Sequence, residues 1–253
     1  MIYKYVGAKC GSKALKYLKC FCEEYKIKIS EPTSFNDPFE FKVSIDLDAD
    51  EATMRERFFQ DNENALQTDY DDWQQSRTGR SYWWIKQETR RELLSQFGVF
   101  CASQIEGSHL MWSHYTENHT GFCIGLDESQ LTALNGLQGH GLVEYRDEAP
   151  LFRYYIDPPE RFGELAVACK AKSWAYEHEY RFVFDRAGFL EFPSTALKEV
   201  ILGCRAYPEL RSYASQHCGD KKITFHQMVE DFQAYRLNKR MIVENTNIMS
   251  SFF

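Results

Sequence analysis

The chain has 253 residues, of which 43% are hydrophobic and 15% aromatic, and its net charge is -7. This length suits one large domain or two small ones, and the apolar content is ample for a core. The negative charge argues against a generally basic nucleic-acid-binding protein, although local positive patches stay open. No apolar run approaches the ~20 residues of a membrane-spanning helix, so we expect a soluble protein without a membrane partner.

The eight cysteines are scattered, at positions 10, 20, 22, 101, 123, 169, 204 and 218. They form no Cys-x-x-Cys pair, and Met1 to Val6 reads as the start of a strand and not as a secretory leader. Because disulfides are rare in reducing compartments, this pattern predicts reduced thiols and a cytoplasmic location.

The N-terminal part predicts a strand, a helix and a second strand before a rigid loop. Ile2 to Val6 alternates as a strand, a helix runs from Lys13 to about Glu24, and Ile27 to Ser30 is a short strand. Residues 31–40 carry two prolines and two Asx residues without periodicity, which is typical of a rigid loop. Such a loop is either a structural turn or a carrier of binding groups.

From Ala52 to Phe97 the pattern is mostly helical, with Gly79 as the clear break. Aromatic and basic residues interleave here: Trp73, Arg77, Arg80, Tyr82, Trp83, Trp84, Lys86, Arg90 and Arg91. This mixture suits base stacking and phosphate contacts, so a nucleic-acid contact is expected here if there is one. The structural alternative is an amphipathic helical insertion with Trp inward and Arg outward.

The central part predicts a buried strand over 98–103, a helix from Gly107 or Ser108 to Tyr115, and a strand over 121–127. Three histidines here, His109, His114 and His119, are spaced by five residues. That spacing puts them on different sides of a helix, which disfavours a shared metal site.

The remaining elements follow from turn residues and apolar runs. They are a short helix over 128–134, a glycine-rich loop to Gly141, strands over 142–146 and 197–203, helices over 158–169 and 208–217, and strands over 222–228 and 233–240. A strand is also predicted from Tyr176 to Asp185, with Glu177, Glu179 and Arg181 on one face. Carboxylates on one face require a cleft or a cationic partner, unless the strand is a solvated edge.

Three spaced motifs resemble those of a bacterial family of domains of unknown function, and together they span nearly the whole chain. The motifs are Ser34-Phe-Asn-Asp-Pro-Phe-Glu40, Leu110-Met-Trp-Ser-His-Tyr115 with the following His119-x-Gly121-Phe122, and Trp174-x-Tyr-Glu-x-Glu-Tyr-Arg181. The order of elements is also similar to that of ADP-ribosyltransferases. The segments 98–103, 109–115 and 121–126 look like the successive strand, helix and strand of the poly(ADP-ribose) polymerase branch, and 178–185 looks like the strand that holds its catalytic glutamate.

This second resemblance implies an α+β fold with two packed, mainly antiparallel sheets around an NAD cleft. The chain 1–253 would then be a single domain with a helical insertion at about 52–97. It departs from that branch in having Tyr5 where the branch has His and Phe100 where it has Tyr. The missing His argues against polymer building and for transfer of a single ADP-ribose.

The resemblance also implies the site residues. The expected catalytic residues are Glu179, Glu177 and Tyr5, and the expected cofactor-binding residues are Tyr3, Ser34, Asn36, Asp37, Phe100, Ser103, Trp112, Ser113, Tyr115, His119 and Arg181. Glu179 would stabilise the positive charge that develops on the ribose as nicotinamide leaves, and Glu177 would deprotonate the acceptor. Phe100, Trp112 and Tyr115 would stack on the carboxamide ring, and Arg181 would face the pyrophosphate.

The leading hypothesis is a mono-ADP-ribosyltransferase that uses NAD as co-substrate and modifies a macromolecule, with an RNA or DNA base slightly favoured over protein. A toxin or an anti-phage defence effector, neutralised by an antitoxin protein, fits this reading. The alternatives are a metal-dependent nuclease and a non-catalytic interaction module of a defence locus. The nuclease would use Asp37, Glu40, His114, His119 and Glu179.

Overall fold

A computed structural model describes residues 1–35, 37–76, 87–88, 90–92, 94–219 and 222–242. The helices are α1 (Gly11–Cys22), α2 (Glu51–Asp61), α3 (Gln67–Ser76), α4 (His109–Tyr115), α5 (Glu128–Leu131), α6 (Glu160–Ala168) and α7 (Pro208–His217). The first seven strands are β1 (Ile2–Val6), β2 (Lys26–Ile29), β3 (Ser44–Asp46), β4 (Gly98–Ser103), β5 (Phe122–Leu126), β6 (Leu137–Leu142) and β7 (Glu144–Arg146). The others are β8 (Leu151–Arg153), β9 (Cys169–Ala171), β10 (Glu179–Phe184), β11 (Gly188–Glu191), β12 (Leu197–Leu202), β13 (Thr224–Glu230) and β14 (Leu237–Met241).

The chain divides into two compact units, and each unit contains more than one stretch of sequence. Unit 1 contains the described residues of 1–29, 99–142 and 175–253. Unit 2 contains the described residues of 30–98 and 143–174. In unit 2, β3 pairs with β8 and β7 pairs with β9, both in parallel.

Unit 1 is built on an eight-stranded sheet in the order β14-β13-β12-β5-β1-β4-β10-β6. The pair β12 and β13 is parallel, whereas β1 pairs antiparallel with both β4 and β5, and β10 pairs antiparallel with β6. A large mixed sheet with several helices confirms the predicted α+β class.

The two faces of this sheet differ in chemistry because alternate residues of a strand point to opposite sides. One side, here called the apolar face, carries Ile2, Phe100, Phe122 and Phe182, and packs against buried residues of α1 and α7. The other side, here called the polar face, carries Tyr3, Tyr5, Ser103, Glu179, Arg181 and Glu199. The polar face also packs a smaller apolar cluster that includes Trp112, Cys123 and Ile201.

Two predicted segments differ from the structure. The strand expected from Tyr176 begins only at Glu179, because Lys172–Glu177 is a 3-10 helix and His178 has a left-handed φ of 44°. The expected glycine-rich loop before Gly141 is strand β6, whose backbone pairs with β10. In both places the tertiary environment overrides local propensity.

Two further expectations concern disulfide bonds and membrane-spanning helices. All eight cysteines lie among the described residues and form no disulfide, as their scattered positions predicted. Within the described ranges, none of the helices combines the length and apolar character needed to cross a lipid bilayer.

A tight turn follows α4. Glu117, Asn118 and His119 all have left-handed φ values, between 50° and 70°. At Gly121 a Cβ atom would lie 2.1 Å from the carbonyl oxygen of Val6, so only glycine permits this approach of β5 to β1. The motif glycine therefore has a packing role.

We expect Gly121→Ala to lower the free energy of unfolding by about 1–3 kcal/mol, since the new methyl group must displace backbone atoms. The matched control is Gly139→Ala in β6, where an added Cβ meets nothing within 4 Å. Urea unfolding of both variants measures the difference. Equal stability of the two variants would contradict this account of the turn.

Candidate functional site

An enclosed ion pair lies on the polar face at the start of β10. Arg181 donates from Nε to Oε1 of Glu179 at 2.7 Å, and from Nη2 to Oε2 at 3.2 Å. Both side chains are nearly buried, with 2% and 5% of their surfaces exposed. Strand β10 lies between β4 and β6, so the alternative of a solvated edge strand is wrong. Glu179 was expected to have a cationic partner, and Arg181, two residues further along the chain, is one.

A second carboxylate, Glu177, is held by hydrogen bonds from two other elements. The Tyr115 hydroxyl donates to Glu177 Oε1, and Ser103 Oγ donates to the Glu177 carbonyl oxygen at 2.6 Å. Glu177 is buried, and it precedes the left-handed residue His178. Glu177 therefore reaches this region from a 3-10 helix and not through strand alternation with Glu179. Burial and the adjacent Glu177 charge raise the pKa of Tyr115, so its hydroxyl keeps its proton.

Tyr5 and Trp112 form part of the frame beside these groups. Tyr5 donates its hydroxyl hydrogen to the Ile105 carbonyl at 2.8 Å, and Trp112 Nε1 donates to the Glu106 carbonyl at 2.7 Å. Their rings meet edge to face with centroids 5.3 Å apart. Burial raises the pKa of Tyr5, which keeps the hydroxyl neutral. The predicted catalytic Tyr5 and stacking Trp112 are thus both buried and already hydrogen-bonded to backbone.

Two of the predicted site residues point elsewhere. Phe100 lies on the apolar face, 6.2 Å from the Phe182 ring, so it cannot stack on a ligand beside Glu179. Phe100 and Ser103 are three positions apart on one strand, and an odd separation puts them on opposite faces. Tyr3 lies on the polar face, but its hydroxyl donates to Glu199 Oε1 at 3.3 Å.

Ser113 and His119 belong to the end of α4 and the turn after it. The Ser113 carbonyl accepts from the Asn118 amide at 3.1 Å, and the His119 amide donates to the Trp112 carbonyl at 3.2 Å. His119 Nδ1 is buried and has no hydrogen-bond partner among the described residues. Burial lowers the pKa of His119, so the neutral ring is favoured.

The predicted residues of the Ser34 to Glu40 motif belong to unit 2, and Asn36 lies outside the described residues. Ser34 Oγ donates to the Glu31 carbonyl at 2.7 Å, and Asp37 Oδ1 accepts from the Phe39 amide at 2.8 Å. Both side chains thus make the local bonds of a structural turn. Glu40 is buried, and its Oε2 lies 3.3 Å from Lys170 Nζ.

Of the Trp residues in the predicted aromatic and basic insertion, Trp73 lies among the described residues. Its ring packs in unit 2 against Phe58, Tyr70 and Tyr155, with centroids 5.1, 5.5 and 6.1 Å away. This packing agrees with the structural alternative, in which the Trp side chains face inward. Residues 77–86, which hold most of the pattern, lie outside the described ranges.

Glu199 is a further buried carboxylate on the polar face, and the sequence analysis did not identify it. Glu199 of β12 accepts from Lys239 Nζ at 3.2 and 3.3 Å, and His226 Nδ1 lies 3.1 Å from its Oε2. Lys239 Nζ also lies 3.3 Å from Glu106 Oε1. The signal was a charged residue inside the apolar run of 197–202, because a buried carboxylate requires a partner.

The Glu179–Arg181 pair makes a stability prediction. We expect Arg181→Met to lower the free energy of unfolding by about 3–5 kcal/mol, because Glu179 loses the two hydrogen bonds from Arg181 while remaining in a dry site. The double variant Glu179→Leu/Arg181→Met should lose less than the sum of the two single variants. Urea unfolding of the wild type, the two single variants and the double variant gives the coupling energy.

The control for this cycle is the exposed pair of Glu144 and Arg146, which has the same sequence spacing and the same 2.7 Å contact. There the single variant Arg146→Met should change stability little, because water screens the charges. Strictly additive single changes at 179 and 181 would show that the two side chains do not stabilise each other.

A pH dependence follows from two half-buried histidines, His119 and His226. Burial lowers the pKa of both His119 and His226 below the ordinary value of about 6.5. As pH falls through this ordinary value the unfolded chain binds protons first, so stability is present above it and declines below it. We expect the double variant His119→Asn/His226→Gln to flatten this decline between about pH 7.5 and 5.5. Urea unfolding at several pH values measures the slope, and an unchanged slope contradicts the assignment.

Comparison with known protein families matches part of the chain. A family described as "Protein of unknown function (DUF2971)" matches residues 111–182. The matched part includes Tyr115, Gly121, Glu177, Glu179 and Arg181. No curated protein and no solved structure matches the chain. Over residues 111–182 the chain is therefore similar to a family of domains of unknown function.

Proposed function

We propose that this chain is an NAD-dependent mono-ADP-ribosyltransferase in which Glu179 is the catalytic carboxylate. The observation that carries the proposal is the Glu179 carboxylate at the start of the interior strand β10, held by two N–H groups of Arg181. Cleavage of the bond between nicotinamide and ribose develops positive charge on the ribose. An ionised carboxylate beside the ribose stabilises that charge more in the transition state than in the ground state.

The burial of Glu179 supports this role. A carboxylate outside bulk water interacts more strongly with a developing positive charge, and a fixed carboxylate needs little reorganisation. Arg181 is then a positioning residue, in place of the predicted contact with the pyrophosphate. Stability alone does not favour such a pair, because well-packed apolar residues are often as stabilising as a buried ion pair. The side chain is nearly enclosed, so surrounding groups must move when NAD binds.

The neighbouring groups have roles that fit the same reaction. Tyr115 and Ser103 hold Glu177 by its carboxylate and its backbone, and we propose Glu177 as the base for an acceptor. The order β1-β4-β10 places the strands of Tyr5, Ser103 and Glu179 side by side. On this basis we propose an ADP-ribosyltransferase-like core with an NAD cleft.

The proposal also includes an acceptor and a biological setting. The interleaved aromatic and basic residues of the insertion favour an RNA or DNA base over a protein side chain. A toxin or anti-phage effector in the cytoplasm, with a protein antitoxin, is the setting that we propose. Mass spectrometry of nucleic acids and proteins from cells expressing the chain would identify the acceptor by an added ADP-ribose.

A non-catalytic interaction module is the second candidate, and the enclosure of the Glu179–Arg181 pair favours it. That candidate predicts no NAD affinity. A thermal-shift titration separates the two, because a ligand that binds only the folded chain raises the melting temperature. For the nuclease alternative, the described residues hold no group of three or more His, Cys, Asp or Glu arranged around a metal position.

We expect Glu179→Gln to reduce NAD cleavage by about 100-fold or more, because the amide cannot supply the negative charge. The matched control is Glu199→Gln, which removes another buried carboxylate from the polar face but leaves Glu179 and Arg181 in place. NAD consumption and circular dichroism are measured on both variants. A folded Glu179→Gln protein that cleaves NAD at the wild-type rate would refute the catalytic role.

A further inference from the structure

We propose that unit 1 has a second small-molecule site, which binds a nucleoside phosphate between α1, β1 and β2. A cavity of about 760 Å³ lies there, within the ~300–1,000 Å³ range of ligand pockets. Its lining includes Lys4, Lys16, Tyr17, Lys28, Phe100 and Phe189. Phe100 belongs to the apolar face, whereas Glu179 belongs to the polar face. Tyr5, an expected catalytic residue, also contributes to the lining, but Glu179 and Arg181 do not, so the site does not depend on the proposed catalytic carboxylate.

Positive charge dominates the lining of this cavity. Four lysines contribute to it, Lys4, Lys16, Lys26 and Lys28, against one acidic residue, Glu24. The acid is already engaged, since Glu24 Oε2 lies 3.4 Å from Lys26 Nζ. Within the described part of the chain, neither Lys16 nor Lys28 forms an ion pair, which leaves both ammonium groups able to meet an anion. A lysine binds phosphate as a point charge, so the cavity suits a phosphate group.

The apolar part of the lining suits a flat ring. The aromatic side chains around the cavity include Tyr17, Phe21 and Phe189, whereas Val6 is the one aliphatic residue among the described lining residues. Phe189 is 70% exposed, although phenylalanine is usually buried. A ring at the cavity that is open to solvent can stack on a base. A fatty acid would instead favour aliphatic walls, so we infer a nucleoside as the organic part.

The thiol of Cys20 also lines the cavity and provides a local reporter. It is partly exposed, and burial raises its pKa. Because the thiolate is the reactive form, alkylation of Cys20 should be slow but measurable at mildly alkaline pH. A ligand in the cavity should slow this alkylation further, which peptide mass mapping would detect at this one cysteine.

The test uses AMP as the probe, with adenosine and inorganic phosphate as its separate halves. Calorimetry on the full chain should show AMP binding more tightly than either half, and AMP should protect Cys20 from iodoacetamide. Lys16→Gln/Lys28→Gln should weaken AMP binding by at least about tenfold, through the loss of two charge-assisted contacts. The matched control Lys9→Gln/Lys19→Gln removes the same charge from residues outside the lining and should bind AMP as the wild type does.

Three outcomes would overturn this site. Equal loss of affinity in both lysine variants would show a general charge effect, and protection of Cys20 by palmitate but not by AMP would show a lipid pocket. Absence of any AMP binding to the folded wild type would remove the site altogether. Glu179→Gln should bind AMP with wild-type affinity whether or not it cleaves NAD, so this proposal and the catalytic one fail separately.

Discussion

The ion pair of Glu179 and Arg181 sets the main constraint on unit 1. Two charges removed from water are destabilising unless they stay paired and their remaining hydrogen-bonding atoms are satisfied. The two residues lie two positions apart on the interior strand β10, so the backbone itself holds the two side chains on one face. The nearby Tyr115, Ser103 and Glu177 add a second hydrogen-bonded group, and this concentration of buried polar atoms distinguishes a candidate site from an ordinary core.

Because alternate residues of each strand point to opposite sides, the two faces of the eight-stranded sheet differ in chemistry. The apolar face packs the aromatic residues of β4, β5 and β10 against α1 and α7 in one buried hydrophobic cluster. The polar face carries buried carboxylates at Glu179 and Glu199, each with a cationic partner. The cavity with its lysines opens on the apolar side, at α1 and β2. The catalytic and nucleoside phosphate proposals therefore rest on different side chains of the same strands.

Much of the order of elements was predictable from local signals. The strand 98–103, the helix that ends at Tyr115 and the strand 197–202 follow from apolar runs, a serine N-cap and glycine turns. Residues 137–142 were not predictable, because their glycines indicate a loop and only pairing with β10 makes them a strand. The stretch before Glu179 also misled, since alternation over 176–178 resembles a strand that His178 interrupts with its left-handed φ.

The amino-acid sequence by itself determined the α+β class and showed that the carboxylates around residue 179 need a cleft or a cationic partner. These follow from composition, periodicity and the desolvation of charge, which are properties of short segments. Only the folded chain shows that Arg181 is the partner of Glu179, that Tyr115 bonds to Glu177, and that Phe100 faces away from both. Burial and hydrogen-bond partners depend on strands that are distant in sequence, and no local pattern specifies which of them become neighbours.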